Sequence, residues 1–133
     1  MKNVVAYAAT LTAFVVVDLI WLGVIAKRFY RTQLDGLLAD QYNFGAAALF
    51  YLAYPLGVVA FAVAPALAAG SWPQAALWGA LLGLFAYGTY DLTNLATLRN
   101  WPPRLTAVDM IWGTVLTGFA AVCGQLAAHG IGY

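Results

Sequence analysis

Three aspartates, Asp18, Asp91 and Asp109, interrupt apolar segments that are long enough to cross a bilayer. An ionisable group at membrane depth is costly, so it usually faces a bundle interior or a water-filled cavity and marks a functional site. Such carboxyl groups can bind a proton or a cation, or act as general acid and base. If they lie close together, repulsion in the low dielectric predicts that a proton or a cation neutralises the group.

Asp91 has polar neighbours on its own helical face. Tyr87 precedes it by four residues and Asn94 follows it by three, which are the spacings of side chains that meet on one helix face. Structural hydrogen bonding would be the alternative role for Asp91. We expect Asp91, Asn94 and Tyr87 to contribute to a binding site for a proton or a substrate.

The other two aspartates lie in near-identical strings, Asp-Leu-Ile-Trp at 18–21 and Asp-Met-Ile-Trp at 109–112. Trp21 and Trp112 therefore stand three residues after Asp18 and Asp109, and we include both in the predicted site. Because the two strings would run in opposite directions through the membrane, they indicate either an inverted repeat around a site or a chance likeness.

Two of the acids also have structural explanations. Thr106 and Asp109 fit a capping box, with Thr106 as the helix cap. Asp18 could instead pair with an arginine that reaches back from the following loop. The sequence alone leaves these alternatives open.

Composition places the chain in a membrane. Of 133 residues 64% are hydrophobic and 8% are charged, whereas about a quarter of a soluble domain is charged. A net charge of +1 argues against a nucleic-acid partner. Cys123 and His129 are the only cysteine and histidine, so no His- or Cys-based metal site is expected, and the absence of a glycine-rich phosphate loop leaves no cofactor to predict.

Four apolar segments are each long enough to span, at about 4–26, 44–69, 75–98 and 105–128. A span needs about 20 such residues, and only helices or closed barrels satisfy the backbone in hydrocarbon. Because the segments lack period-2 alternation, we predict an all-α integral membrane four-helix bundle that forms one domain over residues 1–133.

Helix geometry predicts that the three aspartates lie at matched depth. At 1.5 Å per residue, Asp18 stands roughly 12 Å from Ala26, Asp91 roughly 10 Å from Leu98, and Asp109 roughly 9 Å from Pro103, which are the positions where the loops begin or end. Those positions lie on the same side of the membrane in a four-span topology. We therefore predict that all three line one cavity.

The loops predict the orientation of the bundle. Five basic residues fall on one side and one falls on the other; they are Lys27, Arg28, Arg31, Arg99 and Arg104 against Lys2. The positive-inside rule then places both basic loops in the cytoplasm and both termini outside. In a bacterium this describes a multi-pass protein of the inner membrane.

The first basic loop has a helical pattern of its own. Tyr30, Leu34, Leu37 and Leu38 recur at helical spacing within residues 27–43, which predicts a short amphipathic helix at the interface between spans 1 and 2. Gly36 weakens the helix locally. The alternative is a connector that only anchors the chain.

Small residues and one proline predict how the spans pack. Gly79 and Gly83 have GxxxG spacing, which lets two helices approach closely. This face could bind a second copy of the chain or another membrane protein. Pro55 lies in the middle of the second segment, where it predicts a kink that either shapes the bundle or opens a cavity.

The string Tyr-Gly-Thr-Tyr-Asp-Leu-Thr-Asn-Leu-Ala-Thr-Leu-Arg-Asn-Trp-Pro at 87–102 and the two Asp-x-Ile-Trp strings resemble an uncharacterised bacterial family of small predicted membrane proteins. The resemblance covers essentially the whole chain. It implies four spans in a bacterial inner membrane, and it implies no activity or site residue because the family is a domain of unknown function.

Three functions fit this pattern. The first is a carrier or channel whose acidic cavity handles protons or a small cationic solute. The second is a membrane-embedded enzyme that uses aspartate as acid or base on a lipid or isoprenoid, so enzymatic activity stays an open question. The third is an accessory subunit of a larger membrane complex. All three have the bilayer as a partner, and the first two add a small solute or a lipid ligand.

Overall fold

The computed structural model describes residues 1–131, and this part is helical with no strand. The prediction of an all-α bundle is confirmed. Six α-helices follow one another along the chain: α1 Lys2–Ile20, α2 Lys27–Gln33, α3 Phe44–Val58, α4 Ala64–Ala69, α5 Trp72–Thr97 and α6 Pro103–Ile131. Two π-helical segments, Trp21–Ile25 and Val59–Val63, extend α1 and join α3 to α4.

Three continuous helical stretches of the described residues are long and apolar enough to cross a membrane, namely Lys2–Ile25, Phe44–Ala69 and Pro103–Ile131. The helix α5 has 26 residues, which is long enough, but glycine, tyrosine and threonine lower its mean hydropathy. A fourth span through α5 therefore stays a prediction.

Local chemistry explains where the second apolar stretch begins and ends. The side chain of Asn43 accepts a hydrogen bond of 3.0 Å from the backbone N–H of Ala46 and so caps α3. Gly70 has φ 65°, a left-handed conformation that glycine adopts without strain, and it ends α4. Pro73 then stands in the first turn of α5, where its missing N–H costs nothing.

The most extensive helix contact joins α5 to α6, and it uses the glycine face of α5. A Cβ added at Gly79 would lie 2.8 Å from the Cβ of Ala121, and one added at Gly83 would lie 2.8 Å from the Cβ of Thr117. Both glycines are buried. The predicted use of this face for a second copy or another protein is therefore wrong, because α6 of the same chain covers it.

The second apolar stretch changes partners along its length. Pro55 is buried within α3, and the π-helical segment Val59–Val63 follows it directly. The half before this segment packs mainly on α1, whereas Val59–Val63 and α4 pack on α5 and α6. As a result α3 stands away from α5 at one end of the bundle and leaves a cleft between them.

The cleft opens at what we call the basic end, where the connections 26–43 and 98–102 lie. The helix predicted within residues 27–43 is real but short, since α2 ends at Gln33 and Gly36 adopts φ 83°. Residues 34–43 form turns and irregular chain. The small helix α2 packs on the π-helical segment Trp21–Ile25 and carries Tyr30, whose hydroxyl reaches α6.

Candidate functional site

A cavity of about 430 Å³ occupies the cleft. Its walls come from α1, α3, α5, α6 and the π-helical segment after α1, and they are mainly apolar and aromatic. The lining residues are Asp18, Leu22, Phe50, Tyr51, Tyr54, Ala86, Tyr87, Tyr90 and Asp109. Two of the three predicted aspartates thus meet at one cavity.

Asp18 sits at the inner wall of this cavity and is 5% exposed. The hydroxyl of Tyr51 donates a hydrogen bond of 2.5 Å to its Oδ2, and the indole Nε1 of Trp112 donates one of 2.9 Å to its Oδ1. Each carboxylate oxygen therefore has a donor. Donors of this kind stabilise the negative charge and fix the carboxylate in one orientation.

Asp109 is half-buried and accepts a hydrogen bond from one donor, which is itself held by a second side chain. The hydroxyl of Tyr30 donates to its Oδ1 at 2.7 Å, and the Nε1 of Trp21 donates to the oxygen of Tyr30 at 3.2 Å. Burial raises the pKa of the Tyr30 phenol above its ordinary value, so the group stays a neutral donor. Tyr30 thereby ties α2 to the cavity wall.

The capping role considered for Asp109 is wrong. The helix α6 begins at Pro103, so Thr106 lies within its first turn and is not its cap. The Thr106 hydroxyl donates to the carbonyl of Pro102 at 3.1 Å and accepts from the indole of Trp101 at the same distance. Asp109 is thus available to the cavity.

The two Asp-x-Ile-Trp strings meet face to face. The rings of Trp21 and Trp112 stack with centroids 4.3 Å apart and planes inclined by 10°. Their hydrogen bonds cross over, since Trp112 binds Asp18 directly and Trp21 reaches Asp109 through Tyr30. The stacked indoles therefore couple the two acids of the cavity to each other.

Asp91 is fully buried but does not line the cavity. Its carboxyl group lies next to Asp109, close enough for the two charges to interact. Neither oxygen of Asp91 has a hydrogen-bond partner of good geometry among residues 1–131. Three acids were predicted to line one cavity. Asp18 and Asp109 line it, whereas Asp91 lies next to Asp109 outside the lining.

Tyr87 lines the cavity as part of an aromatic wall. A Cβ on Gly113 would overlap the Tyr87 ring, so the glycine of α6 makes room for this side chain. The Tyr54 ring stands 6.3 Å from that of Tyr87, and the Tyr54 hydroxyl lies 2.9 Å from the Oγ1 of Thr117. Asn94, which was expected beside Asp91, lies outside the lining and is only half-buried.

No lysine, arginine or histidine among residues 1–131 forms an ion pair with Asp18 or Asp109. The pairing of Asp18 with a loop arginine is therefore wrong, and Tyr51 and Trp112 take that place. Within the same range no three His, Cys, Asp or Glu side chains form a group that could hold a metal ion. The cavity thus combines two acids with an apolar and aromatic wall.

The sequence did not identify Tyr30, which binds Asp109, or several residues of the wall itself, namely Leu22, Phe50, Tyr51, Tyr54, Ala86 and Tyr90. Tyr51 and Tyr54 carried a usable signal, because two phenols three residues apart on an apolar span share one face. Tyr30 carried none, since its contact with Asp109 joins residues that lie 79 positions apart.

The family described as “Predicted membrane protein (DUF2177)” matches residues 3–126 of the chain. No curated protein and no solved structure matches the chain.

Proposed function

The chain belongs to this family of membrane proteins, and we propose that this member binds an organic cation with an apolar body in the cavity of Asp18 and Asp109. In this proposal the protein is a carrier that exchanges the cation for protons. The observation that carries the proposal is the pair of acids in an apolar cavity, neither of which forms an ion pair with a basic side chain within residues 1–131.

The charge balance favours a cationic ligand. Asp18 is held by two donors, which stabilises its ionised form, yet a lone charge in a low dielectric is costly. A bound cation offsets that cost. The faces of Tyr54 and Tyr87 also suit a cation, because aromatic rings attract positive charge through their quadrupole.

The shape of the cavity favours a ligand that enters from the lipid. Its acid Asp18 is deep, whereas its outer residues are exposed, with Leu22 at 37%, Phe50 at 44% and Tyr90 at 56%. These outer residues come from helices on both sides of the cleft. A polar floor below an apolar mouth fits an amphiphile whose charged head binds inside while its tail stays in hydrocarbon.

The proposed topology has four spans, with both basic loops in the cytoplasm of a bacterium and both termini outside. Polar threonines do not exclude α5 from the bilayer. Thr89 donates to the carbonyl of Phe85 at 2.6 Å, and Thr97 donates to that of Thr93 at 2.8 Å. Hydroxyls satisfied within their own helix are tolerated in hydrocarbon.

The exchange mechanism follows from the competing ways to neutralise the two acids. A proton on Asp109 or a cation bound beside it would each neutralise the charge of this carboxylate. Protonation therefore weakens cation binding, and cation binding releases a proton. The hydrogen bond from Tyr30 to Asp109 would change in strength during this exchange. The Tyr30 hydroxyl donates more strongly to an ionised Asp109 than to a protonated one.

The test is a flux measurement in proteoliposomes that contain a pH-sensitive dye. Alkyltrimethylammonium salts serve as probes because a quaternary ammonium has no exchangeable proton and therefore cannot itself carry protons across the bilayer, as a primary amine could. We expect proton movement that depends on probe and protein, and that is lost in Asp18→Asn/Asp109→Asn. The matched control is Asp35→Asn/Asp40→Asn, which removes two exposed charges outside the cavity. Equal flux in both double variants would contradict the carrier.

A second function is favoured by the contact between Asp91 and Asp109. Two adjacent carboxyl groups can share one proton, and such a pair serves as general acid and base. With the lateral mouth, this would suit an enzyme that moves protons on a lipid or isoprenoid. A product that appears in lipid extracts of expressing cells and disappears in Asp109→Asn would favour this enzyme over the carrier.

A further inference from the structure

A second pocket, of about 370 Å³, lies on the outer side of α2. Its lining consists of Val24, Lys27, Arg28, Arg31 and Thr32. We propose that this pocket binds the phosphate group of an anionic phospholipid. The proposal is independent of the cation site, because it rests on different residues at a different surface.

The three basic side chains line one pocket. Lys27 and Arg31 are one helical turn apart, and Arg28 stands three residues before Arg31. All three are exposed, and none forms an ion pair with an acid among residues 1–131. Their positive charge is therefore not balanced by an acid within residues 1–131. The hydroxyl of Thr32 adds a neutral donor to the same pocket.

The groups that converge here match a phosphate. Guanidinium groups bind phosphate oxygens through paired, charge-assisted hydrogen bonds, and an ammonium adds a point charge. Basic clusters directly beside a membrane span attract anionic lipids by about 1 kcal/mol for each Lys or Arg near the surface. Three such residues on two turns of helix form a compact site for one head group.

The neighbouring apolar residues distinguish a lipid from a free phosphate ion. Val24, which lines the pocket, is 75% exposed, and Ile25 beside it is 67% exposed. Both belong to the last turn of the first candidate span. An acyl chain lying along this turn would cover apolar surface that inorganic phosphate would leave bare.

The position of the pocket gives the lipid a structural consequence. The same helix carries Tyr30, whose hydroxyl donates to Asp109. A lipid head group bound to the basic residues would hold this seven-residue helix, and Tyr30 with it, in place. Anionic lipid should therefore stabilise the protein more than zwitterionic lipid does.

The test is native mass spectrometry of delipidated protein in detergent, with three separate probes: phosphatidylglycerol, phosphatidylcholine and inorganic phosphate. We expect one tightly retained phosphatidylglycerol per chain and at least tenfold less phosphatidylcholine. Arg28→Gln/Arg31→Gln should lower phosphatidylglycerol retention by at least tenfold. The matched control, Arg99→Gln/Arg104→Gln, removes equal charge from the other basic loop and should retain the lipid.

Each alternative outcome is informative. Equal losses in both double variants would mean that overall charge, and not the pocket on α2, attracts the lipid, and would overturn the proposal. Retention of inorganic phosphate to the same extent as phosphatidylglycerol would identify an anion site without lipid specificity and would also overturn it. A melting temperature in detergent that is similar for both variants shows that neither result reflects unfolding.

Discussion

The indole rings of Trp21 and Trp112 stack in parallel, with centroids 4.3 Å apart, at the crossing of the two Asp-x-Ile-Trp strings. Each ring also donates a hydrogen bond that leads to an acid of the opposite string. Trp112 binds Asp18, and Trp21 binds Tyr30, which binds Asp109. The two similar strings therefore play similar structural parts. In each, the aspartate is linked by hydrogen bonds to the tryptophan of the other string, and the two tryptophans stack on each other.

The arrangement makes the two acids interdependent. A shift of Trp112 that weakens its bond to Asp18 would also disturb the stack with Trp21 and hence Tyr30. The local geometry is consistent with an inverted repeat, in which two like elements enclose a site. A repeat that extends beyond these strings stays a prediction.

The first prediction concerns the room that Gly113 leaves for Tyr87. In Gly113→Ala the added Cβ would overlap the Tyr87 ring, so the cavity wall must move. We expect a loss of about 1–3 kcal/mol in the free energy of unfolding, which is typical of overpacking. Thermal unfolding in detergent measures it. The control is Gly57→Ala, where a Cβ meets no atom within 4 Å; equal losses in both variants would contradict the packing account.

The second prediction concerns the buried carboxyl group of Asp91. Asp91→Asn keeps the shape and removes a group whose oxygens lack partners, while its amide can donate to Asp109. We expect unchanged or higher stability, and a gain of about 1 kcal/mol would raise the melting temperature by roughly 3–6 °C in a chain of this size.

The control for Asp91 is the same change at Asp18. Asp18→Asn weakens two charge-assisted hydrogen bonds, from Tyr51 and Trp112, and should lower the melting temperature. A lower melting temperature for Asp91→Asn than for Asp18→Asn would show that the Asp91 carboxylate has a stabilising partner.

The third prediction concerns the phenol of Tyr30. Burial raises its pKa above the ordinary 10.0, so it stays protonated and keeps donating to Asp109 at any pH below that value. The difference between the alkaline absorbance titrations of wild type and Tyr30→Phe isolates this phenol. We expect its ionisation only well above pH 10. A transition at or below that pH would mean that Tyr30 is exposed to water.

The fourth prediction concerns orientation. In a Cys123→Ala background, single cysteines at Ser71 and Arg104 would be labelled with an impermeant thiol reagent on intact cells whose outer membrane is permeabilised. The proposed topology predicts labelling at position 71 and protection at position 104, because it places the basic loops in the cytoplasm. The reverse pattern would contradict it.

The helices could be predicted from the sequence because each depends on local composition. Apolar stretches bounded by polar loops define the long helices, and Gly70 and Pro73 mark one boundary through backbone conformation alone. The predicted length of α2 was too great, since Leu34, Leu37 and Leu38 continue the helical spacing past Gln33 while the backbone turns at Gly36. Periodicity reports which residues are apolar, not where the backbone stops being helical.

The site could be predicted only in part. Asp18 and Asp109 were identifiable because an ionisable side chain in an apolar segment is energetically costly and therefore indicates a site. The position of Asp91 next to Asp109 and outside the cavity could not be predicted. Counting residues gives the depth of a side chain along a helix but not its direction about the helix axis. The same limit explains why the partner of the glycine face of α5 was predicted incorrectly. The prediction was another molecule, whereas the structure shows α6 of the same chain.

The most direct test of the central claim is the affinity of the purified protein for radiolabelled octyltrimethylammonium. We predict saturable binding of about one probe per chain, weaker at acidic pH because protons compete for the same carboxylates. Asp18→Asn/Asp109→Asn, and Asp109→Asn alone if the double variant is unstable, should lower the affinity by about tenfold or more. Asp35→Asn/Asp40→Asn should leave it unchanged. Absence of saturable binding to wild type, or equal affinity of the cavity and loop variants, would contradict the account.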